Sequence, residues 1–434
     1  MAFIQASAAT ATAEAAKPVL LAHQAALNLN GGDAGWMLVA TCLVLFMTLP
    51  GLALFYGGMV RKKNLLSVLA QSVAVSVIAS VIWIFIGYSL AFGVGGGNAD
   101  SFLNKIIGGF DIALLNGVRL DTAYKAAPNL PEYLWVAYQM TFAIITPALI
   151  IGSIVERMKF SAFCVFIALW SLLVYAPVAH WVWGGGFLGQ MGVLDFAGGA
   201  VVHVNSGVAG LVSCLVIGKR KGFGRDNMAP HNLGYTMIGA SMLLVGWIGF
   251  NAGSEWAADS RASVAMLNTI VAAMTGAIGW IIPEWIERKQ PTLLGMVSGI
   301  IAGLVAITPA AGFVTPGGAL LMGLITGPIC YLGSTYVKNM FRYDDSLDAF
   351  GVHAVGGFTG ALLTAVFANT DINPAGAGAS VLKQLLGLVV VIGWSAVITF
   401  LILMACKYTT GLRVTEEEEI EGLDQSQHGE TLHG

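Results

Sequence analysis

Charge is what this 434-residue chain has least of: only 10% of its residues are Asp, Glu, Lys or Arg, while 56% are hydrophobic. Soluble domains carry about 25% charged residues, so the deficit excludes an ordinary water-soluble fold and makes lipid the main solvent. Cysteine is scarce too. Cys42, Cys164, Cys214, Cys330 and Cys406 lie in or beside apolar runs, with no CxxC or Cys/His spacing, and read as small packing residues. Lysines and arginines occur in short clusters between apolar runs, which leaves no basic surface for nucleic acid. No nucleophile–base pair, metal cluster or nucleotide loop is present, so no catalytic residue, cofactor or metal is assigned and an enzyme is not expected. Residues 1–33 are rich in Ala and Thr and lack a basic n-region followed by a clear apolar core, so no signal peptide is assigned.

What the chain has is long apolar runs. A helix crossing a bilayer needs about 20 mostly apolar residues. Eleven segments qualify: 36–60, 65–93, 133–155, 161–183, 197–218, 232–254, 262–283, 292–311, 319–337, 349–368 and 384–406. The expected class is therefore an all-α polytopic membrane protein, with an N-terminal segment 1–33, a transmembrane domain 34–407 and a tail 408–434. One set of loops holds Arg61 to Lys63, Arg157, Lys159, Lys219 to Lys221, Arg225, Arg288, Lys289, Lys338, Arg342, Lys407 and Arg413. The alternate set holds Lys17, Lys105, Arg119, Lys125, Arg261 and Lys383, six basic residues against fifteen. Positive charge collects on the cytoplasmic side, which puts the N-terminus outside and the tail inside a cell membrane. The odd number of spans agrees.

Within these spans His203 and His353 are exceptional. Each opens the phrase His-x3-Gly-x2-Gly, with Gly207 and Gly210 in one case and Gly357 and Gly360 in the other. An ionisable residue at membrane depth faces a bundle interior or pore and marks a functional site. The phrases fall on the fifth and tenth spans. Each repeat would then contain five helices, and an odd number forces the second repeat to insert upside down around a shared central site. Asp195 and Asp348 precede the two histidines by eight and five residues and read as helix N-caps, in unequal registers. Gly295, Gly299 and Gly303 give the eighth span a face of small residues for close packing.

The assigned topology brings Phe142, Trp183, Phe250 and Ser254 towards the outer half of the bilayer, beside Asp195 and above His203. Aromatic faces attract a small cation by about 0.5–2 kcal/mol, depending on desolvation. A hydroxyl such as that of Ser254 accepts from an N–H donor and adds direction. Read singly, Trp183 is an interfacial belt residue and the phenylalanines are packing residues. There is also a tension in depth. With 1.5 Å of rise per residue, His203 lies about 9 Å into its span, while His353 lies near the inner end of its own. The two meet only if both helices begin deep in the bilayer, after buried non-helical chain.

Several phrases, in order, resemble the ammonium transporter family (Amt/Mep/Rh) and its bacterial and plant Amt branch. They are Phe55-Tyr56-Gly57-Gly58, His180-Trp181-Val182-Trp183-Gly184-Gly185-Gly186, Asp195-Phe196-Ala197-Gly198-Gly199, Val202-His203-Val204-Asn205, Gly246-Trp247-Ile248-Gly249-Phe250-Asn251-Ala252-Gly253-Ser254 and Phe350-Gly351-Val352-His353. The resemblance runs from about Gly35 to the tail around Gly411-Leu412-Arg413 and Gly422-Leu423-Asp424. It implies eleven helices, the first ten as inverted five-helix repeats around a pore, one pore per subunit of a homotrimer. It implies that Phe142, Trp183 and Ser254 recruit the ammonium ion, that Phe142 and Phe250 form a phenyl gate, and that His203 and His353 line the pore. Asp195 matches a supporting aspartate. The tail, with Glu416 to Glu419, reads as a solvated charge run, and the resemblance adds contact with a PII-type signalling protein. The rivals are a passive ammonia channel of the Rh kind and an ammonium sensor acting through its tail.

Overall fold

The computed structural model describes residues 20–432. Residues 1–19, part of the expected N-terminal segment, lie outside the described residues, as do 433 and 434. Among the described residues ten helices are long and apolar enough to cross a membrane. They are α1 (Gly31–Met59), α2 (Lys62–Gly97), α3 (Glu132–Ile154), α4 (Phe160–Met191), α5 (Gly199–Ile217), α6 (Leu233–Gly253), α7 (Ser260–Arg288), α9 (Pro316–Phe341), α10 (Phe350–Phe367) and α11 (Val381–Thr409). The expected eighth span is a shorter apolar helix, α8 (Leu293–Ile307), followed by buried non-helical chain to Val314. Two short strands, β1 (Gln24–Ala26) and β2 (Thr122–Tyr124), pair antiparallel beside the start of α3.

The halves α1–α5 and α6–α10 are inverted repeats, and glycine makes the repeat possible. A Cβ on Gly207 would collide with Ala354 of α10, and one on Gly357 would press on Gly199 and His203 of α5. Each histidine-bearing helix thus crosses the other where a side chain is missing. Gly210 and Gly360 repeat the device against Ser153 of α3 and Ala306 of α8. Gly51 of α1 packs on α6 at Met242 and Leu243, and Gly246 of α6 packs on α1 at Leu43 and Met47. Gly299 and Gly303 let α8 approach the backbone of α7, as small-residue faces do in lipid, where no hydrophobic effect drives helices together.

Two buried arginines, Arg157 and Arg220, and the partly buried Arg61 organise the face that carries most basic loops, called the basic face below. Arg220 bonds Asp344 at 2.8 Å and Glu156 at 3.3 Å, and Arg61 meets Glu156 at 2.7 Å. The fully buried Arg157 donates to the carbonyls of Ser153 and Asp344. Burial pushes the Glu156 and Asp344 carboxyls up, but the facing guanidiniums outweigh it and hold both below the usual range. The tail is not merely solvated. Its helices α12 (Glu416–Glu421) and α13 (Leu423–His428) lie on this face: Glu419 is buried against Arg413 at 2.6 Å, Glu416 pairs with Lys221, and Asp424 accepts from the Ser67 N–H at 2.8 Å.

Removing one partner from such a network leaves buried charge behind, a loss of about 3–5 kcal/mol. Arg220→Met is therefore expected to lower the melting temperature of the purified protein markedly, while Lys289→Met, at an exposed loop end, leaves it unchanged. Thermal melts in detergent at neutral pH check both.

Candidate functional site

A bilayer offers no water to backbone groups, so a helix that starts inside the protein needs internal acceptors for its first N–H groups. Asp195 supplies them for α5. One carboxylate oxygen accepts from Gly198 and Gly199 at 2.8 and 2.6 Å, the other from Ala200 and Val201 at 2.9 and 3.1 Å. Gly198 adopts φ 119°, which lets the chain fold under the carboxylate. The preceding stretch is buried and non-helical, and a matching buried stretch precedes α10. Both helices open with a wide turn, Gly199–Val204 and Phe350–Ala354, that carries the histidine. The rings of His203 and His353 stack with centroids 5.4 Å apart and an interplanar angle of 15°.

On one side of this pair the aromatic residues converge. Phe142 and Phe250 stack at 4.2 Å and 24°, and the Trp183 ring stands at 90° to Phe142, 5.8 Å away. The Trp183 indole N–H donates to the Asp195 carbonyl at 2.9 Å, so the capping loop also orients the ring. Ser254 donates to the Phe250 carbonyl at 2.8 Å. Phe250 lies 6.2 Å from His203. Beyond the phenyl pair, both histidines line a narrow apolar cavity with Leu52, Ile145, Trp247 and Ile301; its free volume of about 10 Å³ is that of one water-sized guest. Both nitrogens of His203 and Nδ1 of His353 are buried without a protein partner.

All the expected residues except Asp348 meet around the aromatic cup and the histidine pair; Asp348 lies past His353, in the wall of the opening on the basic face. There it bonds Lys338 at 2.7 Å. The counterpart of Asp195 is Asp345, eight residues before His353, which accepts from the N–H of Phe350 at 2.8 Å and from Ser153 Oγ at 2.7 Å. Counting eight residues back from each histidine would have found it. Trp247 and Tyr138 were also missed. Trp247 stacks on His203 at 5.3 Å and donates to Thr308 at 2.8 Å. The Tyr138 hydroxyl reaches the Phe250 carbonyl at 2.9 Å and Ser254 Oγ at 3.3 Å. Their signal was helical spacing: Tyr138 precedes Phe142 by one turn, and Trp247 precedes Phe250 by three residues.

The family model described as Ammonium Transporter Family matches residues 35–433. The chain is 48% identical over 411 residues to an ammonium transporter of Bacillus subtilis, covering 93% of this chain and 98% of that one. Among solved structures it is similar to Mep2 of Saccharomyces cerevisiae, with TM-score 0.81, 35% identity, and 90% and 89% of the two chains covered. It is also similar to a structure described as a sensor Amt protein, with TM-score 0.83, 29% identity, and 92% and 98% covered.

The contrast between the two aspartates is testable. Asp345→Ala frees the start of α10 and is expected to lower the melting temperature, whereas Asp348→Ala, at a partly exposed pair, stays near wild type. Burial, with Asp348 adding and Lys338 opposing, pushes the Asp345 carboxyl from 3.8 up to about 6. An acid whose folded value is raised stabilises the fold below its unfolded value, and that contribution is lost as pH rises through the folded one. The Asp345 contribution therefore declines between pH 3.8 and about 6, and Asp345→Asn flattens this part of the melting-temperature profile.

Proposed function

The chain belongs to the ammonium transporter family, and we propose that it recruits ammonium at Phe142, Trp183 and Ser254, removes a proton near the Phe142–Phe250 stack, and passes ammonia between His203 and His353. The observation that carries this reading is the order of chemistries along one axis: an aromatic and hydroxyl cup, a stacked phenyl barrier, then two imidazoles in an apolar passage. In this reading the basic face is cytoplasmic, the protein sits in a cell membrane, and the net process is uptake.

The energetics favour a neutral passenger. Moving an ammonium-sized ion into a medium of low dielectric constant costs on the order of 20 kcal/mol in an idealised estimate, which rings and neutral imidazoles recover only in part. Ammonia avoids that penalty. Potassium, similar in size, has no proton to lose and is rejected. The unpartnered imidazole nitrogens are free to donate to or accept from the passing molecule, and the histidine pair relays the proton separately. Transport then moves net charge.

We take the working unit to be a homotrimer, on family resemblance. The tail, seated on the basic-face loops, is the contact we assign to a PII-type signalling protein. A pull-down from cytosolic extract at varied ATP and 2-oxoglutarate is expected to capture such a protein; no capture under any condition argues against it.

An ammonium pulse on liposomes holding the purified protein is expected to give a current, and a potassium pulse none. Replacing both histidines by leucine is expected to abolish the current, and full wild-type current in that variant would sink the relay. Ammonia entry without current in the wild type would favour a passive channel of the Rh kind. Neither signal would favour the sensor.

A further inference from the structure

The inverted repeat gives the pore a second end. The cup is built by α3, α4 and α6, which the repeat relates to α8, α9 and α1. Those three helices, with the ends of α7 and α10, enclose a vestibule of about 150 Å³ that reaches His353. Phe55 of α1 corresponds to Phe250 of α6: each stands four residues after a glycine at the α1–α6 crossing, Gly51 or Gly246, and three before another, Gly58 or Gly253. Ser153 and Ala306 are equivalent through their contacts with Gly210 and Gly360. Eleven residues before them stand Phe142 on α3 and Gly295 on α8.

Where the cup has its second phenyl ring, the vestibule therefore has no side chain. Glu284 of α7 takes the space: a Cβ on Gly295 would collide with its carboxylate. Glu284 is only 4% exposed. Its Oε1 accepts from the Thr292 hydroxyl at 2.8 Å, while Oε2 is buried without a partner. Capping α8 does not require this oxygen, because Thr292 already accepts the Gly295 N–H at 2.9 Å. The guanidinium of Arg288 is mostly exposed and stays 3.7 Å from Oε1. Trp280 and Tyr331, edge to face at 5.7 Å, wall the same space.

A buried carboxylate with a spare oxygen calls for a positive partner, and ring faces attract the same kind of guest. We infer that Glu284, Trp280 and Tyr331 form a second ammonium site at the basic-face end of the pore, which holds the ion by charge where the cup holds it by aromatic faces. This rests on the transport reading above. Ammonia leaving His353 takes back the separately carried proton, and the ammonium so formed sits against the Glu284 carboxylate before release. In the reverse direction the same site loads the ion.

Sided transport separates this role from a structural one. In right-side-out and inside-out vesicles carrying the full chain, Glu284→Gln is expected to raise the apparent KM for ammonium presented at the basic face by about tenfold, the effect of one lost charge-assisted contact. The KM at the opposite face stays unchanged, and Glu284→Asp restores most of the loss. Arg288→Ala, at an exposed position that folding tolerates, is expected to lower the basic-face KM by removing a competing cation. Unchanged basic-face values in both variants, or equal changes at the two faces, overturn the site while leaving the transport reading intact. Wild-type vesicles that carry no ammonium in either direction overturn both.

Discussion

An α-helix that begins inside an apolar protein exposes its first backbone N–H groups where no water can reach them. This chain does so twice, at α5 and α10, and the rest of the pore depends on how those two starts are satisfied. Asp195 gathers four N–H groups with one carboxylate, and Asp345 holds the second start and ties it to α3 through Ser153. Because both helices start deep, both histidines lie one turn into them and meet face to face. The same capping loop orients Trp183, so the aromatic cup and the imidazole pair are fixed by one piece of buried chain.

Close approach is the second constraint. The phrase His-x3-Gly-x2-Gly is a stripe along one side of a helix. The histidine faces the passage, the first glycine admits the other histidine-bearing helix, and the second admits α3 or α8. Larger residues at either glycine would separate the helices by the width of a side chain and pull the imidazoles apart. The repeat is nevertheless unequal at its two ends. Phe142 faces Phe250 at one, while Gly295 leaves room for Glu284 at the other. The two mouths are related in backbone and different in chemistry.

Ten of the eleven expected spans were legible because lipid demands a long apolar run whatever the tertiary fold. The eighth was read too long. Its apolar composition continues past Ile307, but the chain there stops being helical and supplies carbonyls at Thr308 and Pro309 to the loop after Asp195. The pore residues His203 and His353, and the ring residues Phe142, Trp183 and Phe250, were also within reach. Asp348 was assigned in place of Asp345 because a nearby carboxylate looks the same in one dimension, and only direction distinguishes them: one turns to Phe350 and Ser153, the other to Lys338.

By itself the sequence determined solvent, span and symmetry. Scarce charge, long apolar runs and a duplicated histidine phrase leave a polytopic membrane protein with two related halves, since composition and periodicity survive without any contact being known. The tertiary structure alone decided what meets what. The ring separations, the matched depth of the two histidines, the tail buried on the basic face and the spare oxygen of Glu284 all depend on residues far apart in the chain. Such contacts leave no local pattern, because each is set by how closely two distant backbones can approach.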